Sequence, residues 1–361
     1  IELNPDFPEA HLNLGTLLKE FGQLQKAEIS TRKAIELNPR YEQAKLNLSL
    51  ILLTSGNYKE GLELYESRWK IKNVKKPFVT SRSEWTPTNK GRVLFWAEQG
   101  IGDEVFFASL IPELNNLVEQ LIVQVDERLI PLFRRSFDKR IIYLQRDQIL
   151  DENKYDFQIS MGSILKFLRE SKEDFIKNKK KYLKVNESKS TIYKEKLKDS
   201  KHKKIIGISW KSTSKRYKGI NLSLERFILG IYSPKIKFLC LQYGDIEEEI
   251  TQLRKKHSIK IDIVSEVDLY NDIDGLASLI AACDEVVSID NVTLHLAGAI
   301  GIKTNILLSH NCYWYHGLND KKSSWFPTVN FFRQKKPNEW DVPLKEIKKE
   351  IRINKIQSCE R

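Results

Sequence analysis

Val286-Val287-Ser288-Ile289 is a short apolar run rich in β-branched residues. Asp290-Asn291 break it before Val292-Thr293-Leu294-His295-Leu296-Ala297-Gly298-Ala299-Ile300-Gly301. The run predicts a buried strand, the Asp-Asn pair a helix cap, and Gly301 the stop of a helix over residues 293–300. A buried strand that turns sharply into a helix leaves free backbone N–H groups at its carboxyl end, where open α/β sheets bind phosphorylated ligands. A plain capped βα unit with His295 facing the core gives the same pattern. A second stretch, Glu98-Gln99-Gly100-Ile101-Gly102-Asp103-Glu104, follows another apolar run at residues 92–97. Its glycines make a slim loop that a ligand can approach closely. Asp103 then stands at the start of a helix read from Val105 to about Leu117, either as a reacting carboxylate or as an N-cap alone. A third stretch, Lys211-Ser212-Thr213-Ser214-Lys215-Arg216-Tyr217-Lys218-Gly219, mixes hydroxyls with cations. That mixture suits a diphosphate, or an ordinary exposed loop.

These stretches need strands and helices to hold them. Residues 121–125, 140–144 and 155–159 read as strands beside residues 92–97. Residues 204–210, 237–242, 259–264 and 304–308 read as strands beside residues 286–289. Helical stretches alternate with them, including 192–197, 224–229, 274–283 and 343–351, as in a parallel α/β sheet. Trp314, Trp325-Phe326-Pro327 and Phe331-Phe332-Arg333-Gln334 form an aromatic tail region. Asp272-Ile273-Asp274 has the form of a metal-binding DxD, but it stands just before a helix, where capping fits better.

The N-terminal part has another pattern. Ile1-Glu2-Leu3-Asn4-Pro5 recurs as Ile35-Glu36-Leu37-Asn38-Pro39, a period of 34 residues. Ala10, Leu18 and Gly22 match Ala44, Leu52 and Gly56 at the same spacing. That period resembles the tetratricopeptide repeat, a helix–turn–helix unit. Such units need neighbours to bury their apolar faces. The repeat tail at residue 1 therefore leads us to expect further repeats before it. Asn13 and Asn47 share one repeat position, which either lines a concave face and holds peptide backbone or is a repeated exposed polar residue. Residues 70–90 lose helical periodicity and carry Pro77 and Pro87, as a linker does, with Trp85 expected at a domain junction.

Composition narrows the class. The chain has 361 residues, 41% hydrophobic and 30% charged, as in soluble globular proteins. No apolar run approaches the roughly 18 residues needed to span a bilayer. The formal charge of +12 invites a nucleic-acid reading. However, the lysines are dispersed, and the densest basic stretch, residues 166–204, lacks interleaved aromatics. No nucleic-acid partner is expected. Cys240, Cys283, Cys312 and Cys359 are widely spaced, which implies neither disulfides nor a zinc site and fits a cytoplasmic setting.

The motifs together carry a resemblance. Residues 96–104, Gly207-Ile208-Ser209-Trp210, Leu241-Gln242, residues 288–299, and Ser324-Trp325-Phe326-Pro327-Thr328 through Phe332-Arg333-Gln334 resemble bacterial tetratricopeptide-repeat glycosyltransferases. These are similar to heptosyltransferases and, more distantly, to O-linked N-acetylglucosamine transferases. The resemblance implies a multidomain α + α/β protein. Its TPR helical repeats (1–72) and a linker (73–90) would lead into a GT-B pair of Rossmann-like domains. Residues 91–200 would form the acceptor side and residues 201–355 the nucleotide-sugar side. It implies inverting transfer of a sugar from a nucleotide-sugar donor to an acceptor hydroxyl, on a protein or peptide brought by the repeats, without metal or cofactor. Asp103 would be the general base. Gly100, Gly102, Trp210, Thr213, Gln242, Ser288, Asp290, Asn291, Thr293 and His295 would serve the donor, Gln242 holding the nucleotide base. The phosphate cation falls on Lys211, Lys215 or Lys218. Asn291-Val292 stand where relatives carry Thr-Ala or Thr-Gly. Two other readings fit the same chain: a non-catalytic repeat scaffold with a degenerate α/β part, and a nucleotide-sugar epimerase.

Overall fold

The computed structural model describes residues 4–72, 77–212 and 222–353. Helices α1 (Pro8–Glu20), α2 (Leu24–Leu37), α3 (Glu42–Ser55) and α4 (Tyr58–Tyr65) form the repeat segment. The helices approach through small buried residues, Ala27, Ala34 and Ala44. A Cβ on Gly15 would lie 2.2 Å from Thr31 Oγ1, so α1 can sit on α2 only because that side chain is missing. Gly22 and Gly56 turn the chain at φ +72° and +92° with nothing near them, so their role is conformational. Asn47 is buried and its amide donates to Thr31 Oγ1 at 3.4 Å. It therefore packs between helices and is not open to a peptide backbone.

Strands β1 (Arg92–Trp96), β2 (Gln120–Val125), β3 (Ile142–Gln145) and β4 (Phe157–Ser160) make a parallel sheet in the order β3-β2-β1-β4. Helices α5 (Ile101–Phe107), α6 (Ile111–Leu117), α7 (Ile130–Ser136), α8 (Leu165–Leu168), α9 (Lys172–Lys177) and α10 (Glu187–Leu197) accompany it. The single helix expected from Val105 to Leu117 is two. A 3-10 turn at Ala108–Leu110 separates them, and Pro112 stands in the first turn of α6, where its missing N–H costs nothing. Trp85 is fully buried, its backbone N–H donates to Gln158 O at 2.8 Å, and its ring meets Phe167 edge-on. It pins the linker to the edge of this sheet.

The second sheet comprises β5 (Lys204–Ser209), β6 (Ile236–Cys240), β7 (Ile261–Asp262), β8 (Glu285–Ile289), β9 (Thr304–Leu308) and β10 (Val329–Arg333). All pairs are parallel, in the order β10-β9-β8-β5-β6-β7. Helices α11 (Leu224–Ile231), α12 (Glu247–His257), α13 (Ile273–Ala282), α14 (Val292–Ile300) and α15 (Asp341–Ile353) belong to it. Two details depart from the sequence reading. The strand at 259–264 pairs over Ile261–Asp262 only, and part of the aromatic tail is an edge strand with Phe331 beside Ile306. Asp272 caps α13, accepting from Gly275 N at 2.7 Å, and Asp274 pairs with Arg135. One apolar core runs from Val93 and Phe95 through Phe106 to Leu294 and Ala297, so the two sheets share a hydrophobic interior through α5 and α14. Each fully buried leucine or phenylalanine there contributes about 1.5–3 kcal/mol.

Candidate active site

The second sheet reverses its strand order between β5 and β8, and ligand crevices form at such points. Asn291 closes the crevice floor. Its carbonyl accepts from Thr293 N at 3.0 Å and from Ser288 Oγ at 3.2 Å, while its amide donates to Ser209 Oγ at 2.7 Å. It thus caps α14 and ties β8 to β5. Beyond the cap, Thr293 Oγ1 and His295 Nδ1 are buried and, among the described residues, have no hydrogen-bond partner. Buried polar atoms normally have one.

Asp290, at the end of β8, accepts from His316 Nε2 at 2.9 Å and lies 3.9 Å from His295 Nε2. Burial works to raise the Asp290 carboxyl, but His316 and then His295 hold it below the usual carboxylate range. Burial pushes His295 down to about 4, against the opposing pull of Asp290, so its ring is neutral at pH 7. Arg333 steadies His316 by donating to its carbonyl at 3.1 Å.

The glycine stretch folds differently from expectation. The helix begins at Ile101, with Gly100 as N-cap, so Gly102 and Asp103 are helical rather than in a loop. Asp103 accepts from Gly100 N at 3.2 Å, which makes it a third-position cap and not the N-cap. Gly102 presses on the other motif: a Cβ there would lie 3.1 Å from His295 Cδ2. The two sequence blocks therefore meet, α5 against α14. Above them Phe106 stacks on Trp325 at 3.6 Å and meets Tyr315 at 4.6 Å.

The first sheet also has a switch point, between β1 and β4, and it is filled. Arg68, just after α4, donates to both carboxylate oxygens of Glu98 at 2.9 Å and to Ser160 and Ser163. Its guanidinium lies 4.2 Å from the Tyr65 and Trp69 ring centres. Glu98 also accepts from Gly162 N at 2.8 Å. Tyr65 accepts from Gln99 at 3.0 Å, and burial raises its hydroxyl well above the ordinary value. A cavity of about 450 Å³ opens here. The repeats contribute Lys19, Leu24, Leu46, Leu50 and Tyr65, the first sheet Asp103, and the second sheet Asp290 with residues 308–315.

Other expected donor residues make hydrogen bonds within the fold. Trp210 is fully buried and donates to Glu249 at 2.8 Å. Gln242 accepts from Ser209 Oγ, Trp210 N and Lys211 N at 2.9–3.0 Å and donates to Tyr243 O, so its carbonyl braces the β5–β6 ends while its amide group keeps a second N–H. Ser288 is buried and donates to Ile289 O at 2.8 Å. Lys211 is held by Glu249 and Asp245 O. Thr213, Lys215 and Lys218 lie outside the described residues. The sequence reading missed His316, Arg68 and the turn after β9. The place itself was a signal, because it follows the carboxyl end of a strand; of this turn only Trp314 was read, as part of an aromatic tail.

The tetratricopeptide repeat family model matches residues 1–29. The chain is 28% identical over 382 residues to protein FlbA of Caulobacter vibrioides, covering 98% of this chain and 62% of FlbA. It thus spans less than two thirds of that relative. The structure of the E. coli ADP-heptose LPS heptosyltransferase II superposes with a TM-score of 0.52 at 11% identity, over 72% of this chain and 97% of that one. The glycosyl transferase family 9 structure from Veillonella parvula gives 0.48 at 10% identity, over 74% and 90%. The chain therefore combines tetratricopeptide repeats with an α/β part that shares the fold of that heptosyltransferase.

Proposed function

We propose that the protein is a glycosyltransferase that moves a sugar from a nucleotide-sugar donor to an acceptor hydroxyl by a single inverting, metal-independent displacement. The observation that carries this reading is the shared cavity: Asp103 and Asp290, from two different sheets, line one space at the strand ends. In this reading the α/β part is a GT-B pair, with residues 91–200 on the acceptor side and 201–355 on the donor side. The volume of about 450 Å³ is within the range of small-molecule sites.

The chemistry follows from placement. The acceptor oxygen attacks the anomeric carbon, the bond to the diphosphate breaks, and the acceptor proton passes to Asp103. A carboxylate in the first turn of a helix is favoured by the helix dipole. The leaving diphosphate collects negative charge. Backbone N–H groups at the start of α14 are the donors the second sheet offers it, with Thr293 Oγ1 and the neutral His295 Nδ1 buried in the same helix and without partners among the described residues. Asp290 and His316 fix that end of α14 and border the sugar. The acceptor is a protein or peptide, since repeat helices form part of the cavity wall.

The test is turnover. The purified chain is incubated with UDP-, GDP-, ADP- and CMP-sugars and nucleotide release is followed, with and without a peptide pool. Acceptor-dependent release supports transfer. Product isomerisation without acceptor would indicate an epimerase. Absence of both binding and turnover would leave a scaffold.

A further inference from the structure

The cavity lining is mixed in chemistry. Asp103 and Asp290 line it together with Leu24, Leu46 and Leu50 of the repeats and Trp314 and Leu318 of the turn after β9. Two cations also line it, Lys19 and Arg68. Arg68 is satisfied by Glu98 and Glu66. Lys19 differs: among the described residues its ammonium makes no ion pair, and the one charge acting on it is its chain neighbour Glu20. Burial lowers the Lys19 ammonium from its ordinary value, so its position in the wall disfavours the charge it carries. A lysine serving only the carboxyl end of α1 would do so from solvent.

We infer that Lys19 is a specificity residue that pairs with an acidic side chain of a polypeptide acceptor, whose neighbouring apolar residue seats on Leu24, Leu46 and Leu50 while its hydroxyl meets Asp103. This rests on the reading of the cavity as a transferase site. A bare polysaccharide offers no apolar partner to the leucines. A lipid acceptor has both apolar chain and anion, but a cavity of about 450 Å³ bounded by α1, α2 and α3 suits a few side chains better than acyl chains. An acid on the acceptor would be repelled by Asp103 and Asp290, so a cation in the same lining is what could admit it.

The test uses fluorescein-labelled peptides with one serine in a leucine–glycine background. Matched series place Glu, Gln or Lys next to the serine, and binding to the whole chain is read by anisotropy. The Glu series should bind about tenfold more tightly than the Gln series, the size of one partly desolvated charge pair. Lys19→Gln should erase that preference, and Lys19→Glu should turn it toward the Lys series. Equal binding of all series to the unaltered chain would overturn the inference without needing a variant. So would a Glu preference that survives Lys19→Gln, or capture by phosphatidylglycerol vesicles in place of peptides. Nucleotide-sugar thermal shifts on the unaltered chain test the transferase reading separately. A Glu preference without any donor shift would remove that reading and leave the acidic-peptide site standing.

Discussion

Arg68 and Glu98 form a two-pronged ion pair at 2.9 Å, with side chains only 3% and 1% exposed. One belongs to the end of the repeat segment and the other to the loop that leads into α5 and Asp103. The repeats are therefore part of the wall and floor of the site, not a module hung beside it. Removing residues 1–72 would therefore leave Glu98 charged, buried and without its guanidinium.

Breaking the pair tests that argument. Replacing one partner of a buried ion pair costs about 3–5 kcal/mol, since the remaining charge is stranded. Arg68→Met should therefore lower stability by about that amount in urea unfolding. Adding Glu98→Gln should recover much of the loss, because the stranded charge goes. If Arg68→Met alone unfolds like the unaltered chain, Glu98 has another way to be satisfied and the repeats are separable after all.

Stability should also depend on pH through His295. Its folded value of about 4 lies below the ordinary 6.5, so between these values the unfolded chain binds the proton and the folded chain does not. The contribution is complete above pH 6.5 and is lost as pH falls toward 4. At the upper bound it amounts to about 3 kcal/mol, from 1.36 kcal/mol per pH unit. Asp290 works in the same direction at lower pH. Its depressed carboxyl stabilises the fold above the unfolded carboxylate value, and that is lost as pH falls through the folded one. Melting curves from pH 4 to 7 should be flatter for His295→Gln than for the unaltered chain. Parallel curves would mean that His295 takes up its proton within the folded protein.

Gly102 tests the contact between the two sequence blocks. A side chain there meets His295 Cδ2 at 3.1 Å and Val292 Cα at 3.8 Å, and His295 is 4% exposed, so it has little room to yield. Gly102→Val should cost about 1–3 kcal/mol by overpacking and should lower donor affinity as α5 and α14 are pushed apart. Calorimetry and a nucleotide-sugar titration would read the two effects. Normal melting with normal affinity would show that the helices do not need this approach.

Much of this was legible in the sequence because it is local. The run of Val286 to Ile289 forms a strand, Asn291 caps a helix, Gly301 ends it at φ +89°, and the 34-residue period reports the repeats. What escaped depends on residues far apart in the chain. Nothing in the local pattern of Arg68 indicates that it fills the first switch point, or in that of His316 that it donates to Asp290. Gln242 and Trp210 were placed at the donor by the resemblance, and both stand at strand ends. The structure shows that a strand end can also be where the fold satisfies its own backbone, as Gln242 does for Trp210 and Lys211.

Asp103→Asn is the sharpest test of the chemistry. Asp103 sits at the third position of α5 and accepts from Gly100 N, and an asparagine carbonyl can accept there too. The substitution keeps the cap and the shape and removes the ability to take a proton. General-base help is typically worth about 100- to 10,000-fold. The rate of transfer should fall within that range, while donor affinity, which rests on α14, and melting temperature hardly change. Asp103→Ala should fall as far in rate and also lose about 1 kcal/mol of capping. The comparison separates the two roles of this carboxylate. A rate lost only in the alanine variant would mean that Asp103 positions α5 through its cap. The proton would then go elsewhere, and Asp290, the other carboxylate facing the cavity, would be replaced next.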